Sequence, residues 1–532
     1  MLVFIPMAGF GDRYLRAGYT LPKPLIPVDG KPMIERVVDA FRDPATGQYP
    51  ADIRFLYTVN ETHARDNDVR GTIERITPGA AVAVIAPHKD GPVRTLLDCA
   101  SHIPDDDDVL LNYCDFGVDW SFPKFRAWLR EKKWNGAMTA YRGFHPHSLG
   151  PTLYAYMKNE GDEVTEIREK HHFTADKFQE YASSGLYWFD SGARMKRIAK
   201  ALMDKGERVN NEFYISMMMQ ALLEDEGTVG VYELDKFYQW GTPEDLRDFE
   251  AWMAAHRRFS TFLDAVGKVS SKAAQVIPMA GRGQRFADQG YADPKPLVPV
   301  HAGDPPKAAP MIARALACLP KTSARVLVVQ KDHLANERFR KVVDDLGGKL
   351  LAVEKVTQGQ ACTARLGLEG IDPKTPVLFA PCDCGYLYDP AKLVAMEESG
   401  AWDAIVWTAR GHLSALWRPK MYGWVLQSEG KATAVKVKAL VEGVAAADQE
   451  IMTGTFWFKD AATFLAEEDA MEKDDDRING EFYIDTIIKR MVERGARVAA
   501  FTVDKVLSWG TPEELKTFEY YGEVSRSAEY RR

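Results

Sequence analysis

Two short stretches of this sequence combine glycine, arginine, lysine and proline in nearly the same order. The first, from Val3 to Met33, reads VFIPMAGFGDRYLRAGYTLPKPLIPVDGKPM, and the second begins at Val276 and reads VIPMAGRGQRFADQGYADPKPLVPV. In each copy an apolar run leads into a Gly-x-Gly-x-Arg turn, and a Pro-Lys-Pro-Leu segment follows. A strand that ends in a glycine-rich turn presents backbone N–H groups to phosphate. Both stretches therefore predict phosphate-binding turns.

Two cations recur in these stretches: an arginine two residues after the second glycine and a lysine between two prolines. The arginines are Arg13 and Arg285, and the lysines are Lys23 and Lys295. A guanidinium group binds phosphate oxygens in a fork geometry, and the flanking prolines restrict the backbone that carries the ammonium group. Solvated surface charges would explain one such set, but its repetition favours a binding role.

A single aspartate follows a later apolar run in each half. Asp115 lies in VLLNYCDF and Asp383 lies in VLFAPCDC. Both are predicted at the carboxyl end of a strand, where open α/β sheets bind their ligands. One carboxylate there suits Mg²⁺, which commonly takes one or two carboxylates and completes its shell with phosphates and water. Capping of the next helix is the alternative role.

These motifs recur because the sequence contains a tandem duplication. The glycine turns, the strand-end aspartates, the Glu-Phe-Tyr-Ile segments and the Trp-Gly-Thr-Pro-Glu segments are each separated by about 270 residues. A near-constant separation over two halves indicates two copies of one domain rather than a solenoid. The predicted organisation is a first domain at 1–265, a linker at 266–274 and a second domain at 275–532.

Short apolar runs alternate with amphipathic stretches in the first half. Strands are predicted at 2–5, 53–59, 81–86, 109–113, 136–141 and 228–234, with further strands between 152 and 189. Helices are predicted near 31–42, 92–102, 123–132, 193–204 and 211–226, and from Pro243 onward. This alternation is typical of a mostly parallel sheet covered by helices, and the second half repeats it.

Composition excludes several classes of protein. The 532 residues carry a net charge of −8, which argues against broad nucleic-acid binding because that function needs a basic face. No apolar run reaches the length of a membrane span, and the first residues predict a strand rather than a signal peptide. The six cysteines lack the paired spacing of a zinc site and are too sparse for a disulfide framework. A reducing cytoplasm fits these features best.

The Gly-x-Gly-x-Arg turn, the Pro-Lys-Pro-Leu segment and the strand-end aspartate together resemble the nucleotidyltransferases that make nucleotide sugars, including relatives with phosphocholine-type acceptors. The resemblance covers both halves and implies two tandem Rossmann-like (GT-A-like) α/β/α domains with mostly parallel mixed sheets. It implies that an NTP and a phosphorylated acceptor give an NDP-linked product and pyrophosphate. The implied partners are CTP, UTP or dTTP and a small phosphorylated acceptor, and the implied cofactor is Mg²⁺.

The same resemblance implies a role for individual residues. The catalytic residues would be Arg13, Lys23, Asp115, Arg285, Lys295 and Asp383, and of these Asp115 and Asp383 would bind the metal. The nucleotide would be bound by Ala8, Gly9, Gly11, Gly91, Ala280, Gly281, Gly283, Gln358 and Gly359. The acceptor would be bound by Lys170, Glu212, Lys438 and Glu481.

The sequence departs from the family pattern at three places. Gln239 and Ser508 occupy the position at which many relatives carry a second metal-binding aspartate. The first half has Lys-Asp-Gly-Pro at 89–92 instead of the Gln-Gly pair that reads the base, so its base preference is open. Val437 replaces the glutamate that precedes the acceptor lysine. Either the second metal ligand comes from elsewhere, with Asp235, Asp504, Glu212 and Glu481 as the candidates, or one carboxylate per site suffices.

Several interpretations remain open at this stage. The two halves are two active sites, or one active domain with a nucleotide-sensing regulatory domain. Alternatively, they form an intrachain pseudo-dimer in which activity needs both domains. A GT-A-type glycosyltransferase is the rival activity. Such an enzyme would usually show Asp-x-Asp at the end of the metal-binding strand, whereas each half of this sequence has a single aspartate there. Asn211 and Asn479 are expected at helix starts, as N-caps or beside an acceptor ligand. Trp240 and Trp509 are expected in the core rather than in an aromatic cage.

Overall fold

The computed structural model describes residues 1–225, 227–527 and 530. The chain divides into two compact units, Met1–Glu250 and Ala251–Arg532. This division lies earlier than the linker predicted at 266–274. The reason is that Trp252, Phe259 and Phe262, on the part of a long helix that follows Glu250, are buried in an apolar core of the second unit.

The first unit is built from short strands and helices that alternate along the chain. Its strands are β1 (Leu2–Pro6), β2 (Pro27–Val28), β3 (Lys31–Pro32), β4 (Arg54–Asn60), β5 (Ala81–Ile85), β6 (Val109–Asn112), β7 (Phe116–Asp119), β8 (Gly136–Tyr141), β9 (Tyr156–Glu160), β10 (Glu163–Arg168), β11 (Tyr181–Phe189), β12 (Val229–Glu233) and β13 (Lys236–Gln239). Its helices are α1 (Asp12–Arg16), α2 (Met33–Asp39), α3 (Glu61–Asp66), α4 (Val69–Ile76), α5 (Pro92–Asp98), α6 (Phe122–Lys132), α7 (Gly192–Lys205), α8 (Ile215–Glu224) and α9 (Pro243–Val266), the last of which continues into the second unit.

The main sheet of the first unit places β1 in its interior, between β4 and β6. Within the described residues, nine strands pair in the order β5-β4-β1-β6-β11-β8-β12-β10-β9. Strand β1 pairs in parallel with β4 and β6, and β11 runs antiparallel to β6. Residues 2–5 of β1 are all buried, as expected for a parallel strand covered on both faces. Strands β7 and β13 form a separate antiparallel ribbon.

The second unit has the same order of elements. Its strands are β14 (Ala274–Met279), β15 (Pro299–Ala302), β16 (Lys307–Pro310), β17 (Arg325–Gln330), β18 (Lys349–Val353), β19 (Val377–Phe379), β20 (Cys384–Leu387), β21 (Ala404–Ala409), β22 (Gly423–Ser428), β23 (Lys431–Val437), β24 (Glu450–Phe458), β25 (Val498–Thr502) and β26 (Lys505–Ser508). Its helices, after the end of α9, are α10 (Gln284–Asp288), α11 (Met311–Ala317), α12 (Glu337–Leu346), α13 (Gln360–Leu366), α14 (Pro390–Glu398), α15 (Leu413–Trp417), α16 (Ala461–Lys473), α17 (Ile484–Glu493) and α18 (Pro512–Arg526).

The sheet of the second unit repeats the topology of the first. Its described strands pair in the order β18-β17-β14-β19-β24-β21-β25-β23-β22, and β20 pairs with β26 in a ribbon. On the interior strand β14, Ile277 belongs to one apolar core and Val276 to another. Successive side chains of a strand point to opposite faces, so both faces of the sheet are covered. The predicted fold class, two tandem Rossmann-like α/β domains with mixed sheets, is confirmed.

Two local expectations need correction. The helix predicted at 211–226 is α8, which begins only at Ile215; Glu226 lies outside the described residues. Asn211 and Asn479 have positive φ values of 64° and 51° and lie in tight turns, so the prediction that they are helix N-caps is wrong. Trp240 and Trp509 are fully buried, as expected of core residues.

Within the described residues, none of the helices has the length and apolar character that crossing a membrane requires.

Candidate active site

The glycine turn after the first strand of each unit packs closely against the predicted lysine. Gly11 has a φ of 69°, and a Cβ atom there would lie 3.3 Å from the Cβ of Lys23. Gly283 has a φ of 64°, and its Cβ would lie 2.9 Å from the Cβ of Lys295. A side chain at either position would adopt a left-handed conformation and crowd the lysine. Glycine is therefore needed for both backbone shape and close approach.

Each lysine bonds the strand-end aspartate of its own unit. The Nζ of Lys23 donates to the Oδ2 of Asp115 at 2.5 Å and to the carbonyl oxygen of Gly241 at 3.2 Å. The Nζ of Lys295 donates to the Oδ2 of Asp383 at 2.5 Å and to the carbonyl oxygen of Gly510 at 2.8 Å. The two units thus contain the same constellation of lysine, aspartate and glycine carbonyl.

Sheet topology explains why these residues meet. Strands β1 and β6 are parallel neighbours, so the glycine turn and Asp115 leave the same edge of the sheet. The ribbon of β7 and β13 pairs Phe116 with Gln239, which places the next residues beside the aspartate. The backbone N–H of Trp240 then donates to the carbonyl oxygen of Asp115 at 3.0 Å. Trp509 makes the equivalent bond to Asp383 at 2.8 Å.

The electrostatic surroundings keep Lys295 charged and the thiols next to the two aspartates neutral. Burial alone would lower the pKa of Lys295, but the Asp383 carboxylate raises it above its usual value. Burial, together with the adjacent carboxylate, raises the pKa of Cys114 and of Cys382 to about 12. Since both thiols stay protonated at neutral pH, they are poor nucleophiles.

In the first unit, the predicted residues surround one cleft of about 840 Å³. All nine residues predicted for this unit line it: Ala8, Gly9, Gly11, Arg13, Lys23, Gly91, Asp115, Lys170 and Glu212. The cleft is open on one side and mixes polar with apolar walls, as ligand sites commonly do. The structure therefore brings the predicted set together, while the role of each residue stays a prediction.

The second unit has a smaller pocket of about 230 Å³, which Asp383 and Lys438 line. The other residues predicted for this unit are not among those that line this pocket. Lys295 bonds Asp383 and packs on Gly283, as described above. The hydroxyl of Tyr483, which lines the pocket, donates to Glu481, and the charge of Arg285 also acts on that hydroxyl. The remaining predicted residues are Ala280, Gly281, Gln358 and Gly359, of which the last two directly precede α13.

The predicted acceptor lysines have different partners in the two units. The Nζ of Lys170 donates to the hydroxyl of Tyr214 at 2.6 Å, whereas the Nζ of Lys438 donates to the carbonyl oxygen of Met421 at 2.6 Å. Both ammonium groups also lie over a tyrosine ring, 4.2 Å from the centre of Tyr214 and 5.2 Å from that of Tyr483. Each lysine has a left-handed backbone, with φ values of 56° and 58°.

A partly buried carboxylate lies near each acceptor lysine, but different positions of the chain supply it in the two units. In the first unit Glu169 precedes the lysine and accepts a hydrogen bond of 2.5 Å from the hydroxyl of Ser216. In the second unit Val437 replaces the glutamate, and Asp485 stands at the position of Ser216. Burial raises the pKa of Asp485 to about 6, and the Lys438 ammonium opposes that rise. The sequence reasoning missed Asp485, although aligning NEFYIS with GEFYID would have revealed it.

The two units also differ at the position where many relatives carry the second metal-binding aspartate. In the first unit Gln239 accepts a hydrogen bond from Tyr154 and donates one to Asp245. In the second unit the shorter Ser508 stands there, and Tyr422 donates directly to the longer Glu514 at 3.0 Å. Each unit thus keeps a partly buried carboxylate on the first turn of the closing helix. The sequence reasoning missed both carboxylates because they lie beyond the Trp-Gly-Thr-Pro motif.

Two of the alternative metal ligands lie away from the strand-end aspartates. Asp235 and Asp504 precede β13 and β26, whereas the far ends of these strands pair beside Asp115 and Asp383. Four residues of strand span about 13 Å. Asp504 instead forms an exposed ion pair with Arg258 at 2.9 Å. These two residues are therefore too distant to complete the metal shell.

The carboxylates of Asp115 and Asp383 fit a magnesium ion. Their side chains are 29% and 22% exposed, so a metal ion can reach each carboxylate from the solvent. Mg²⁺ is often held by one or two carboxylates plus substrate phosphates and water. One carboxylate beside a phosphate-binding turn is consistent with that pattern.

The turn before α5 in the first unit matches the turn before α13 in the second. Gly91 and Gly359 each lie against a phenylalanine backbone, that of Phe213 or Phe482. The preceding residue differs: the Nη1 of Arg208 donates to the Oδ1 of Asp90 at 3.0 Å. In the second unit the Nη2 of Arg477 donates to the Oε1 of Gln358 at 2.6 Å. Asp90 therefore occupies the place of the glutamine in the Gln-Gly pair.

We expect Gly91→Ala to destabilise the first unit by about 2–5 kcal/mol, because left-handed strain and steric crowding add. Gly91 has a φ of 94°, and its Cβ would lie 2.8 Å from the carbonyl oxygen of Phe213. Gly79→Ala is the matched control, since φ is 77° there and no atom lies within 4 Å of the added Cβ. The control should lose about 1–2 kcal/mol. Urea denaturation measures both, and equal losses would show that the close packing at Gly91 is unimportant.

Comparison with known families gives one match within the second unit. Residues 275–447 match the family model of the MobA-like NTP transferase domain. This is a nucleotidyltransferase match. It confirms the predicted resemblance for that segment and supports nucleotidyl transfer as the general reaction. No curated protein sequence matches the chain.

Solved structures similar to this chain each align with about half of it. A nucleoside-diphosphate-sugar pyrophosphorylase from Vibrio cholerae RC9 is 20% identical, with 47% of this chain and 98% of that chain covered and a TM-score of 0.39. A putative glucose-1-phosphate thymidylyltransferase from Bacillus anthracis is 15% identical, with coverage of 47% and 93% and a TM-score of 0.36. The inositol-1-phosphate CTP transferase from T. maritima is 12% identical, with coverage of 46% and 90% and a TM-score of 0.34.

Proposed function

We propose that the protein is a Mg²⁺-dependent nucleotidyltransferase with two sites, one in each unit. Each site joins an NTP to a small phosphorylated acceptor, such as a sugar phosphate, and releases pyrophosphate. The observation that carries this proposal is the repeated constellation in which a lysine bonds a strand-end aspartate and a glycine carbonyl beside a glycine turn. A cytoplasmic location remains a prediction from the cysteine pattern, and all six cysteines are free thiols.

In the proposed reaction an oxygen of the acceptor phosphate attacks the α-phosphorus of the NTP in line. The bond from that phosphorus to the β-phosphate bridging oxygen breaks, and pyrophosphate leaves with the bonding electrons. The glycine turn and Arg13 or Arg285 bind the triphosphate, while Lys23 or Lys295 lies next to the α-phosphate. Lys170 or Lys438 binds the acceptor phosphate. Magnesium held by Asp115 or Asp383 would supply charge neutralisation, and positioning with such neutralisation accounts for most phosphoryl-transfer catalysis.

A substrate matrix tests this proposal. The full chain is incubated with Mg²⁺ and each of CTP, UTP, dTTP, ATP and GTP, against a panel of sugar phosphates and phosphocholine-type acceptors. We expect pyrophosphate release that depends on both substrates. Transfer of sugar from a nucleotide sugar, without pyrophosphate release, would favour the rival glycosyltransferase. Nucleotide binding without turnover at one unit would favour a sensing domain.

We further propose that the two units prefer different bases. A carboxylate only accepts hydrogen bonds, whereas an amide also donates them. Asp90 therefore favours a base edge that presents N–H donors, and Gln358 permits a base carbonyl as well. We expect Asp90→Gln to shift the NTP ranking of the first site towards that of the second by about tenfold, since one hydrogen bond contributes about 1 kcal/mol or more.

The measurement is kcat/KM for each NTP in a chain whose second site carries Asp383→Asn. Glu61→Gln, an exposed carboxylate at the start of α3, is the matched control and should leave the ranking unchanged. An unchanged ranking in Asp90→Gln would show that this residue does not contact the base.

A further inference from the structure

A cluster of metal-ligand side chains lies between α13 and α16 in the second unit, apart from the Lys295–Asp383 pair. It consists of Cys362, Glu468 and Glu472, and one ligand atom from each lies within 4.8 Å of the others. The Sγ of Cys362 donates to the Oε1 of Glu472 at 3.3 Å. We call these three residues the Cys362 cluster.

One carboxylate of the Cys362 cluster is buried and incompletely paired. The side chain of Glu468 is fully buried, and its Oε2 accepts a hydrogen bond from the guanidinium of Arg365. Its Oε1 has no hydrogen-bond partner among the described residues. A buried polar atom without a partner destabilises the fold unless a ligand pairs with it. Arg365 also bonds Asp469 at 2.7 Å, so its single charge is shared between two carboxylates.

The duplication supplies an internal comparison. Helix α7 of the first unit is equivalent to α16, because Ser191 and Asp460 cap their N-termini in the same way. Counting from these caps, Ala199 and Met203 stand at the positions of Glu468 and Glu472, and they pack in an apolar cluster. The fold therefore does not require acidic residues at these positions.

We propose that the Cys362 cluster is a binding site for a divalent transition-metal ion of the zinc class. The ligands are the Sγ of Cys362, the Oε1 of Glu468 and a carboxylate oxygen of Glu472, with water as the fourth. Zinc binds sulfur at about 2.3 Å and carboxylate oxygen at about 2.1 Å, so two tetrahedral ligands of these types lie about 3.5 Å apart. The observed 3.3 Å between Cys362 and Glu472 matches this spacing. On binding, the thiol releases its proton to water.

Such an ion would fasten α13 to α16. Helix α13 begins directly after Gly359, and the carbonyl oxygen of Phe482 accepts a hydrogen bond of 3.0 Å from the N–H of Ala361 on its first turn. Arg365 holds one oxygen of Glu468 and thereby orients the other, as residues behind metal ligands commonly do. The expected role of the ion is structural, and it does not depend on the proposed reaction.

Cobalt is the probe for this site, because a thiolate bound to Co²⁺ gives an absorption band that carboxylates alone do not. The full chain, freed of metal by a chelator, is titrated with Co²⁺ and then with Zn²⁺. We expect one thiolate band that saturates at one ion per chain and that Zn²⁺ abolishes. Cys362→Ser should remove the band, and Glu468→Gln and Glu472→Gln should each weaken Co²⁺ binding at least tenfold.

Glu467→Gln is the matched control, because Glu467 is the neighbouring carboxylate on α16 and pairs with Arg494 instead. It should keep the band. Circular dichroism verifies that each variant is folded, and Glu472, which is exposed, provides a ligand variant if Glu468→Gln fails to fold. Absence of the band in the unchanged chain, or its persistence in Cys362→Ser, would overturn the proposal.

Discussion

Replacing both Lys23 and Lys295 with alanine is expected to reduce pyrophosphate release at least 100-fold while the fold is retained. Each ammonium group is the cation that bonds the strand-end aspartate, at 2.5 Å in both units. Removing one preorganised electrostatic group from an active site typically costs about 10²–10³ in kcat. The measurement is steady-state pyrophosphate release with the best substrate pair found in the matrix.

The controls for this prediction are lysines that pair with aspartate elsewhere. Lys31 bonds Asp39 at 2.6 Å and Lys459 bonds Asp403 at 3.0 Å. Lys31→Ala and Lys459→Ala remove comparable ion pairs and should leave turnover within about twofold, because exposed pairs contribute at most about 1 kcal/mol to stability. Circular dichroism and thermal melting check the fold. Turnover in the double lysine variant close to that of the unchanged chain would refute the catalytic role of both residues.

The second large effect concerns the number of working sites. We expect Asp115→Asn and Asp383→Asn each to abolish one activity and to spare the other. Both sites keep arginine, lysine and aspartate, and the base-reading positions differ, with Asp90 in one unit and Gln358 in the other. The measurement is the full matrix of NTP and acceptor for each single variant and for the double variant. The double variant should release pyrophosphate with no substrate pair.

The same experiment discriminates the other interpretations of the duplication. A sensing domain predicts that one of the two variants keeps every activity and loses only a nucleotide-dependent change in rate. An intrachain pseudo-dimer that needs both domains predicts that either variant abolishes all turnover. Since the asparagine side chain has nearly the same size as aspartate, these variants remove the charge with little change in packing. Two variants with identical losses across the matrix would contradict the prediction of independent sites.

Much of the fold was predictable because the sequence is locally consistent. The apolar runs at 2–5 and 136–141 are strands, since they are long enough and apolar enough to be buried in a sheet. The predictions were less accurate where turn geometry overrides helical pattern, as at Asn211. The unit boundary also differed from the predicted linker, because α9 continues as one helix through the division. A linker is predicted from a change in residue composition, and a helix that continues through the boundary shows no such change.

The sequence by itself determined which residues recur: the glycine turn, Arg13, Lys23 and Asp115, with their counterparts about 270 residues later. Repetition carries this information because a surface residue without a role is free to change in either copy. The tertiary structure alone decided which groups surround them, including the Gly241 carbonyl, the Tyr154–Gln239–Asp245 chain and Asp485. The physical reason is that these partners come from strands and helices that are distant in the chain. Only the order of strands in the sheet and the pairing of the ribbons bring them together.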